Sequence, residues 1–199
     1  MTYTGPNTYK RTAGGTEILR PVDNMFNDER KVMINGSIDS QMAYEVIAQL
    51  NYLYNKDNSL PITVYLNTPG GSVTDGLMIL DALNMMEKTC QINMVCLGMA
   101  ASMGAVLLAC GSHSNNRYIL PNGGVMIHQI SSGIQGQLTD ILIHAEWAKV
   151  LRDKIYTNLA ESTGKSFEEI ERACERDNWF SAEKAVEFGL VDKILEEWK

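Results

Sequence analysis

Strand-like and helix-like segments alternate along this chain, and that alternation most constrains its fold. Short β-branched or apolar runs at 31–36, 61–67 and 91–98 are typical of buried strands. Longer segments with helical apolar spacing follow them, at 40–57, 72–87, 102–111 and 139–163. Two further short strands are predicted within 116–130. This alternation indicates an α/β fold.

The chain divides at about residue 28. Before it, Gly, Pro, Thr and Asn are frequent, and periodic apolar sequence begins only after it. We therefore expect an N-terminal arm over residues 1–27 and one domain over residues 28–199. With 45% hydrophobic and 21% charged residues, the composition is that of an ordinary globular protein. A domain of this size should bury about 70% of its unfolded surface without disulfide or metal support.

The cysteines predict neither a metal site nor a disulfide framework. They have mostly apolar neighbours, no CxxC pairing and no His at ligand spacing. We expect reduced thiols that fill the core and no bound metal. The four are Cys90, Cys96, Cys110 and Cys174.

Composition also excludes several partners. The N-terminus lacks an apolar signal region, and no run approaches 18 apolar residues, so we expect a cytoplasmic protein without a membrane span. The net charge is −7, and basic residues cluster no further than the pair Lys10 and Arg11. A nucleic-acid partner is therefore not expected.

One serine lies where the third predicted strand turns into an apolar helix, within GMAASMGA at 98–105. The first N–H groups of that helix could stabilise an oxyanion near Ser102. Its small neighbours Ala100, Ala101 and Gly104 should leave the hydroxyl accessible. The simpler alternative is a helix N-cap, a common role for serine. The sequence around Ser102 does not match the GxSxG motif, so the fold that carries that motif is not indicated.

An activated serine needs a base, and the base needs an orienting group. His128 ends a predicted strand before a loop, a usual position for a catalytic side chain, although a structural histidine at a strand end is an equal alternative. His113 lies in a polar loop and should be solvated, and His144 should lie on a helix surface. Asp177 precedes Trp179 and Phe180, which could partly desolvate it; its alternative role is a helix cap.

A second glycine element follows the strand at 61–67. Gly70 and Gly71 could let the backbone approach a substrate and donate N–H groups to it. The alternative is an ordinary tight turn, which Pro-Gly-Gly forms readily.

Five motifs, met in chain order, resemble those of the proteolytic subunits of the Clp protease, the ClpP family. They are YLNTPGGSV at 65–73, GMAASMGA at 98–105, GGVMIHQ at 123–129, GIQGQLTDI at 133–141 and ERDNWFSAEKAVEFGLVDKI at 175–194. The resemblance runs from about residue 28 to the C-terminus. It implies a serine endopeptidase with Ser102 as nucleophile, His128 as general base and Asp177 as orienting acid. It also implies an oxyanion hole from the N–H groups of Gly71 and Met103.

The same resemblance carries expectations about architecture and partners. It implies a crotonase-like core of repeated ββα units with a protruding helix-strand handle at 133–151. Subunits would form two stacked heptameric rings, homomeric or mixed with a paralogue, with Glu175 and Arg176 in ring-ring contacts. A hexameric AAA+ unfoldase would use ATP and deliver unfolded polypeptides. The chain itself has no P-loop motif, and no cofactor is expected in it.

Some positions depart from the family pattern, and two other functions stay open. Met99 stands where Gln is usual, and Ile130 stands where Pro is usual, which frees the loop after the base. A crotonase-type acyl-CoA enzyme would share the fold and a two-amide oxyanion hole without needing Ser102 or His128. A non-catalytic ring subunit would keep only the interfaces.

Overall fold

The computed structural model describes residues 8–12, 15–19, 25–112, 115–131, 133 and 135–197. The strands are β1 (Thr8–Thr12), β2 (Gly15–Leu19), β3 (Lys31–Asn35), β4 (Ile62–Thr68), β5 (Ile92–Ala101), β6 (Arg117–Ile119), β7 (Gly124–Ile127), β8 (Asn178–Ser181) and β9 (Lys193–Ile194). The helices are α1 (Ser40–Lys56), α2 (Val73–Met86), α3 (Met103–Cys110), α4 (Leu138–Thr163), α5 (Phe167–Ala173) and α6 (Ala182–Phe188).

Seven strands form one mostly parallel sheet, which confirms the predicted α/β class. Its main path runs β3-β4-β5-β6-β9. The ten-residue strand β5 divides this sheet, because Met94–Cys96 pairs with β6 whereas Met99–Ala101 pairs with β7. Both pairings are parallel, and only β7 and β8 pair antiparallel within this sheet. The end of β5 is therefore held from one side by β4 and from the other by β7.

The core lies between the sheet and its helices. All eight residues of α3 are buried, so this helix has no solvent face. Helix α1, predicted over 40–57 from its apolar spacing, buries one side only. Of the apolar residues Ala43, Ile47, Leu50 and Tyr54, Ala43 and Leu50 are buried, whereas Ile47 and Tyr54 are only half-buried. The Tyr54 hydroxyl hydrogen-bonds the Thr89 hydroxyl at 2.6 Å, which keeps its ring at the edge of the core.

The predicted strands and helices from β3 to α4 are present, and β5 extends three residues further than predicted, to Ala101. Two regions contain structure that the sequence analysis did not predict. Strands β1 and β2 form an antiparallel hairpin inside the arm. Elements α5, β8, α6 and β9 follow α4. The described residues between β7 and α4 form no strand, so the strand expected there stays unconfirmed.

Candidate active site

Ser102 lies at the junction between β5 and α3 in a backbone conformation that side chains rarely adopt. Its φ is 54° and its ψ is −122°, the geometry of a turn position usually occupied by glycine. Such a conformation costs about 1–3 kcal/mol and persists only where its surroundings hold it. The Ser102 N–H donates to the Met126 carbonyl of β7 at 2.8 Å, and the Ser102 carbonyl accepts from Ala105 N–H at 3.0 Å. The strand neighbour and the first turn of the helix thus fix the junction.

The Ser102 side chain does not cap the helix. It occupies the N-cap position but makes no capping hydrogen bond, and its Oγ lies 2.8 Å from His128 Nε2. The smallness of Gly104 serves packing and not access, because a Cβ there would lie 2.5 Å from the Thr68 methyl group. Ala101 is buried, whereas Ser102 is partly exposed. The hydroxyl is therefore both reachable and paired with an imidazole.

Strand register brings His128 and Asp177 together. Ile127 of β7 pairs with Asn178 of β8 in the antiparallel ladder, so the next residues on either strand, His128 and Asp177, face each other. His128 Nδ1 lies 3.3 Å from Asp177 Oδ1. Both imidazole nitrogens therefore have partners, Ser102 at one and Asp177 at the other.

The expected desolvation of Asp177 is wrong in this chain. The His128 side chain is 24% exposed, whereas that of Asp177 is 67% exposed. Phe180 is buried, but Trp179 is 55% exposed. Alternate residues of a strand face the same side, so Asp177 and Trp179 share the face that points toward solvent. Neither aromatic ring shields the carboxylate.

The Pro-Gly-Gly turn packs directly against the serine junction. A Cβ at Gly70 would lie 2.7 Å from Ser102 Cβ. Ile38 forms a parallel bridge with Gly71 by donating to the Gly70 carbonyl and accepting from Ser72 N–H. In this bridge pattern the N–H of Gly71 itself points away from Ile38. The Gly71 N–H therefore points to the side of the turn opposite Ile38, where it can donate to another group.

A second backbone donor comes from Met103, the first residue of α3. The first N–H groups of a helix have no partner within the helix. Met103 and Gly71 line one small cavity of about 50 Å³ together with Ser102 and His128. The cavity thus holds the hydroxyl, the imidazole and both backbone positions predicted as oxyanion donors.

This combination can be compared with known proteins. The model of a family described as Clp protease matches residues 14–198 of the chain. The chain belongs to the Clp protease family. The match begins inside the predicted arm of residues 1–27, so it extends further toward the N-terminus than the resemblance from about residue 28. Family membership implies a serine peptidase in general, and an oligomeric assembly with an unfoldase partner in general.

The other residues that line the cavity in this Clp protease family member are mostly apolar, and Gln129 and Ser131 are the exceptions. Helix α4 was predicted, but the contribution of its second half to the site was not. Ile155 and Leu159 of that half line the cavity beside Val106 of α3 and Ile127 of β7. The signal was available in the apolar spacing of that helix.

The buried cysteines do not compete with Ser102 as nucleophiles. All four are buried and unpaired, which confirms that they fill the core. Burial raises the pKa of the Cys96, Cys110 and Cys174 thiols to about 12, so they stay protonated at neutral pH. Within the described residues there is no cluster of acidic, His and Cys side chains suited to a metal ion, and no helix long and apolar enough to span a membrane.

The other predicted residues lie around this centre. Glu175 and Arg176 are exposed in the turn before Asp177. His144 is exposed on α4 and lines an open groove of about 540 Å³, together with Ile130 and Gly71. His113 lies outside the described residues.

Proposed function

We propose that this chain is a serine endopeptidase in which Ser102 is the nucleophile, His128 the general base and Asp177 the orienting acid. The observation that carries the proposal is the continuous contact from the Ser102 hydroxyl through the imidazole to the carboxylate, at 2.8 Å and 3.3 Å. Serine is a weak nucleophile unless a neighbouring base takes its proton.

The reaction follows from these positions. Ser102 Oγ attacks the carbonyl carbon of a peptide bond while its proton passes to His128 Nε2, and the carbonyl oxygen becomes an oxyanion. The N–H groups of Gly71 and Met103 stabilise that negative charge. When the C–N bond breaks, His128 gives the proton to the leaving amine, and an acyl-Ser102 ester remains. Water then attacks the ester with His128 again as base, which releases the acid and restores the hydroxyl.

The substrate is an extended polypeptide with an apolar residue before the scissile bond. The support is the apolar lining beside Ser102, which includes Val106, Ile127 and Ile155. A folded substrate would have to unfold first, at a cost of about 5–15 kcal/mol, so its accessible population is very small. A hexameric AAA+ unfoldase that hydrolyses ATP would supply that work in the cytoplasm.

The proposed assembly is a double heptameric ring, homomeric or mixed with a paralogue, joined through the handle at 133–151. A crotonase-like core of ββα units belongs to the same proposal. The ring assembly is supported by the first half of α4, where large apolar side chains are exposed, because such a surface is unusual for a monomer. These are Leu138, Leu142, Ile143, Trp147 and Val150.

Labelling with a fluorophosphonate, read by intact mass, tests the proposed nucleophile. The wild-type chain should gain one adduct, and Ser102→Ala should gain none while it keeps its fold. Ser59→Ala, at an exposed serine whose hydroxyl donates to the Asp57 carboxylate, is the matched control and should label normally. Absence of labelling in the wild type, or labelling that survives in Ser102→Ala, would refute the proposal. An acyl-CoA enzyme or a non-catalytic subunit needs no such reactive serine.

The unfoldase partnership needs its own test. A folded, tagged fluorescent protein should stay intact with this chain alone and lose its fluorescence when a hexameric Clp unfoldase and ATP are added. Loss of fluorescence without the unfoldase would contradict the proposed need for an unfolding partner, and degradation that survives Ser102→Ala would contradict the assigned nucleophile.

Native mass measurement tests the ring contacts. Glu175 and Arg176 are exposed beside Asp177, so a contact across the rings would connect assembly to the candidate acid. Arg176→Ala should produce smaller species and lower peptidase activity together. An active 22.1 kDa monomer of the wild-type chain would overturn the proposed double ring.

A further inference from the structure

We propose that Gln129 is a positioning residue, which holds the turn that carries Asp177 against His128. The Gln129 side-chain amide donates from Nε2 to the Glu175 carbonyl at 3.0 Å. This hydrogen bond joins the residue directly after the candidate base to the turn just before the candidate acid. The inference rests on the proposed function, since it assigns a role in keeping the His128–Asp177 pair in place.

The need for such a contact follows from where the strand ladder ends. Backbone pairing between β7 and β8 stops at Ile127 and Asn178. His128 and Asp177 are the first residues beyond that end, so no ladder hydrogen bond fixes either of them. Gln129 supplies a side-chain hydrogen bond one step further out, where the backbone ladder has already stopped.

Among the described residues, the other hydrogen bonds around this turn run back to α5. Glu175 N–H donates to the Arg172 carbonyl at 3.4 Å, and Asn178 Nδ2 donates to the Ala173 carbonyl at 3.2 Å. Asp177 therefore lies between two contacts with the β7 side, the ladder at Asn178 and the Gln129 amide at Glu175.

The exposure of Asp177 makes the contact at Glu175 important. The Asp177 side chain is 67% exposed, so packing by neighbouring groups does not fix the orientation of its carboxylate. A group exposed to this extent holds its orientation through the backbone that carries it. Restricting the turn at Glu175 limits that backbone, and the His128–Asp177 distance of 3.3 Å then stays within reach of a hydrogen bond.

Peptide hydrolysis by paired variants tests the proposal. Gln129→Met keeps the length of the side chain but removes the donor, and Gln129→Lys restores a donor of similar reach. A net hydrogen bond corresponds to a factor of about 2 to 12, so Gln129→Met should lower kcat by about two- to tenfold with KM unchanged. Gln129→Lys should recover most of that loss. Gln41→Met, on the exposed side of α1, makes the same chemical change away from the site and should be silent.

A double-mutant cycle separates positioning from a general structural role. If Gln129 acts through Asp177, Gln129→Met should have no further effect once Asp177→Asn is present. Wild-type activity in Gln129→Met, or an equal loss in both backgrounds, would overturn the proposal. Gln129→Glu, which keeps the shape but cannot donate, should behave like Gln129→Met. If neither variant assembles while the wild type does, the contact is structural and the proposal is wrong.

The same measurements distinguish this failure from failure of the proposed function. Full activity in Ser102→Ala and Asp177→Asn would remove the catalytic assignment, and the role of Gln129 with it. Loss of activity in those two variants together with unchanged Gln129 variants would remove the positioning role alone.

Discussion

Replacing Ser102 by glycine should stabilise this protein relative to replacing it by alanine, although both variants should lack peptidase activity. Both substitutions delete the hydroxyl that contacts His128. They differ only in the Cβ, which is unfavourable at φ 54° and ψ −122°. Comparing the two variants with each other therefore isolates the backbone strain at this position.

The magnitude follows from two opposing terms. Relief of a sparsely populated backbone conformation contributes about 1–3 kcal/mol. The extra freedom of glycine in the unfolded chain costs about 0.4–1 kcal/mol. The free energy of unfolding should therefore be about 0.5–2 kcal/mol higher for Ser102→Gly than for Ser102→Ala. For a domain of about 200 residues, 1 kcal/mol corresponds to about 2–4 °C in Tm, so we expect a difference of about 1–8 °C.

Calorimetry at one protein concentration measures this difference without a contribution from mass action in assembly. Ala105→Gly, three residues further on in the regular part of α3, makes the same alanine-to-glycine change and should lower Tm instead. If Ser102→Gly unfolds at or below the temperature of Ser102→Ala, the junction is not strained and the reasoning fails.

Three further predictions concern the orienting acid, the Pro-Gly-Gly turn and an ion pair. Asp177→Asn should lower kcat by about 10⁴ in a peptide assay, because the imidazole would be held in the wrong tautomer; turnover within tenfold of wild type would contradict this. Gly71→Ala should lower kcat by about 10²–10³ and also lower Tm, because φ is 152° and a Cβ would lie 2.2 Å from the Ile38 carbonyl oxygen. Burial favours a higher pKa for Asp192, but hydrogen bonds and charge from Arg117 outweigh it and lower that pKa below 3.8. The stability that this pair contributes is present above pH 3.8 and is lost as pH falls through the lowered pKa, so Asp192→Asn should flatten the dependence of Tm on pH in acid.

Local sequence was sufficient to find the nucleophile and the base as candidates. Ser102 and His128 each follow a strand with a clear pattern, and the ends of strands are where such side chains become accessible. The sequence did not separate a capping role for Ser102 from a reactive one. That distinction depends on the contact with His128, which is made across two strands.

The missed parts of the fold share a different cause. Strand β9 has only two residues, too few to show a period. The pairing of β8 with β7 joins segments far apart in the chain, so it has no local signal. The exposure of Asp177 was also wrongly predicted, because the identity of the following aromatic residues does not reveal which face of the strand they occupy.

The single antiparallel pair in the main sheet explains how the site is assembled. Parallel strands place their carboxyl ends at one edge, which brings the turn after β4 beside the junction after β5 and supplies Gly71, Ser102 and Met103. A further parallel strand would supply another carboxyl end at that edge. Strand β8 instead runs antiparallel to β7, so its amino end lies there, and the residue that precedes it faces the residue that follows β7. The reversal of this one strand is therefore what sets Asp177 against His128, and a register shift of one residue between β7 and β8 would separate the pair without changing any side chain in the site.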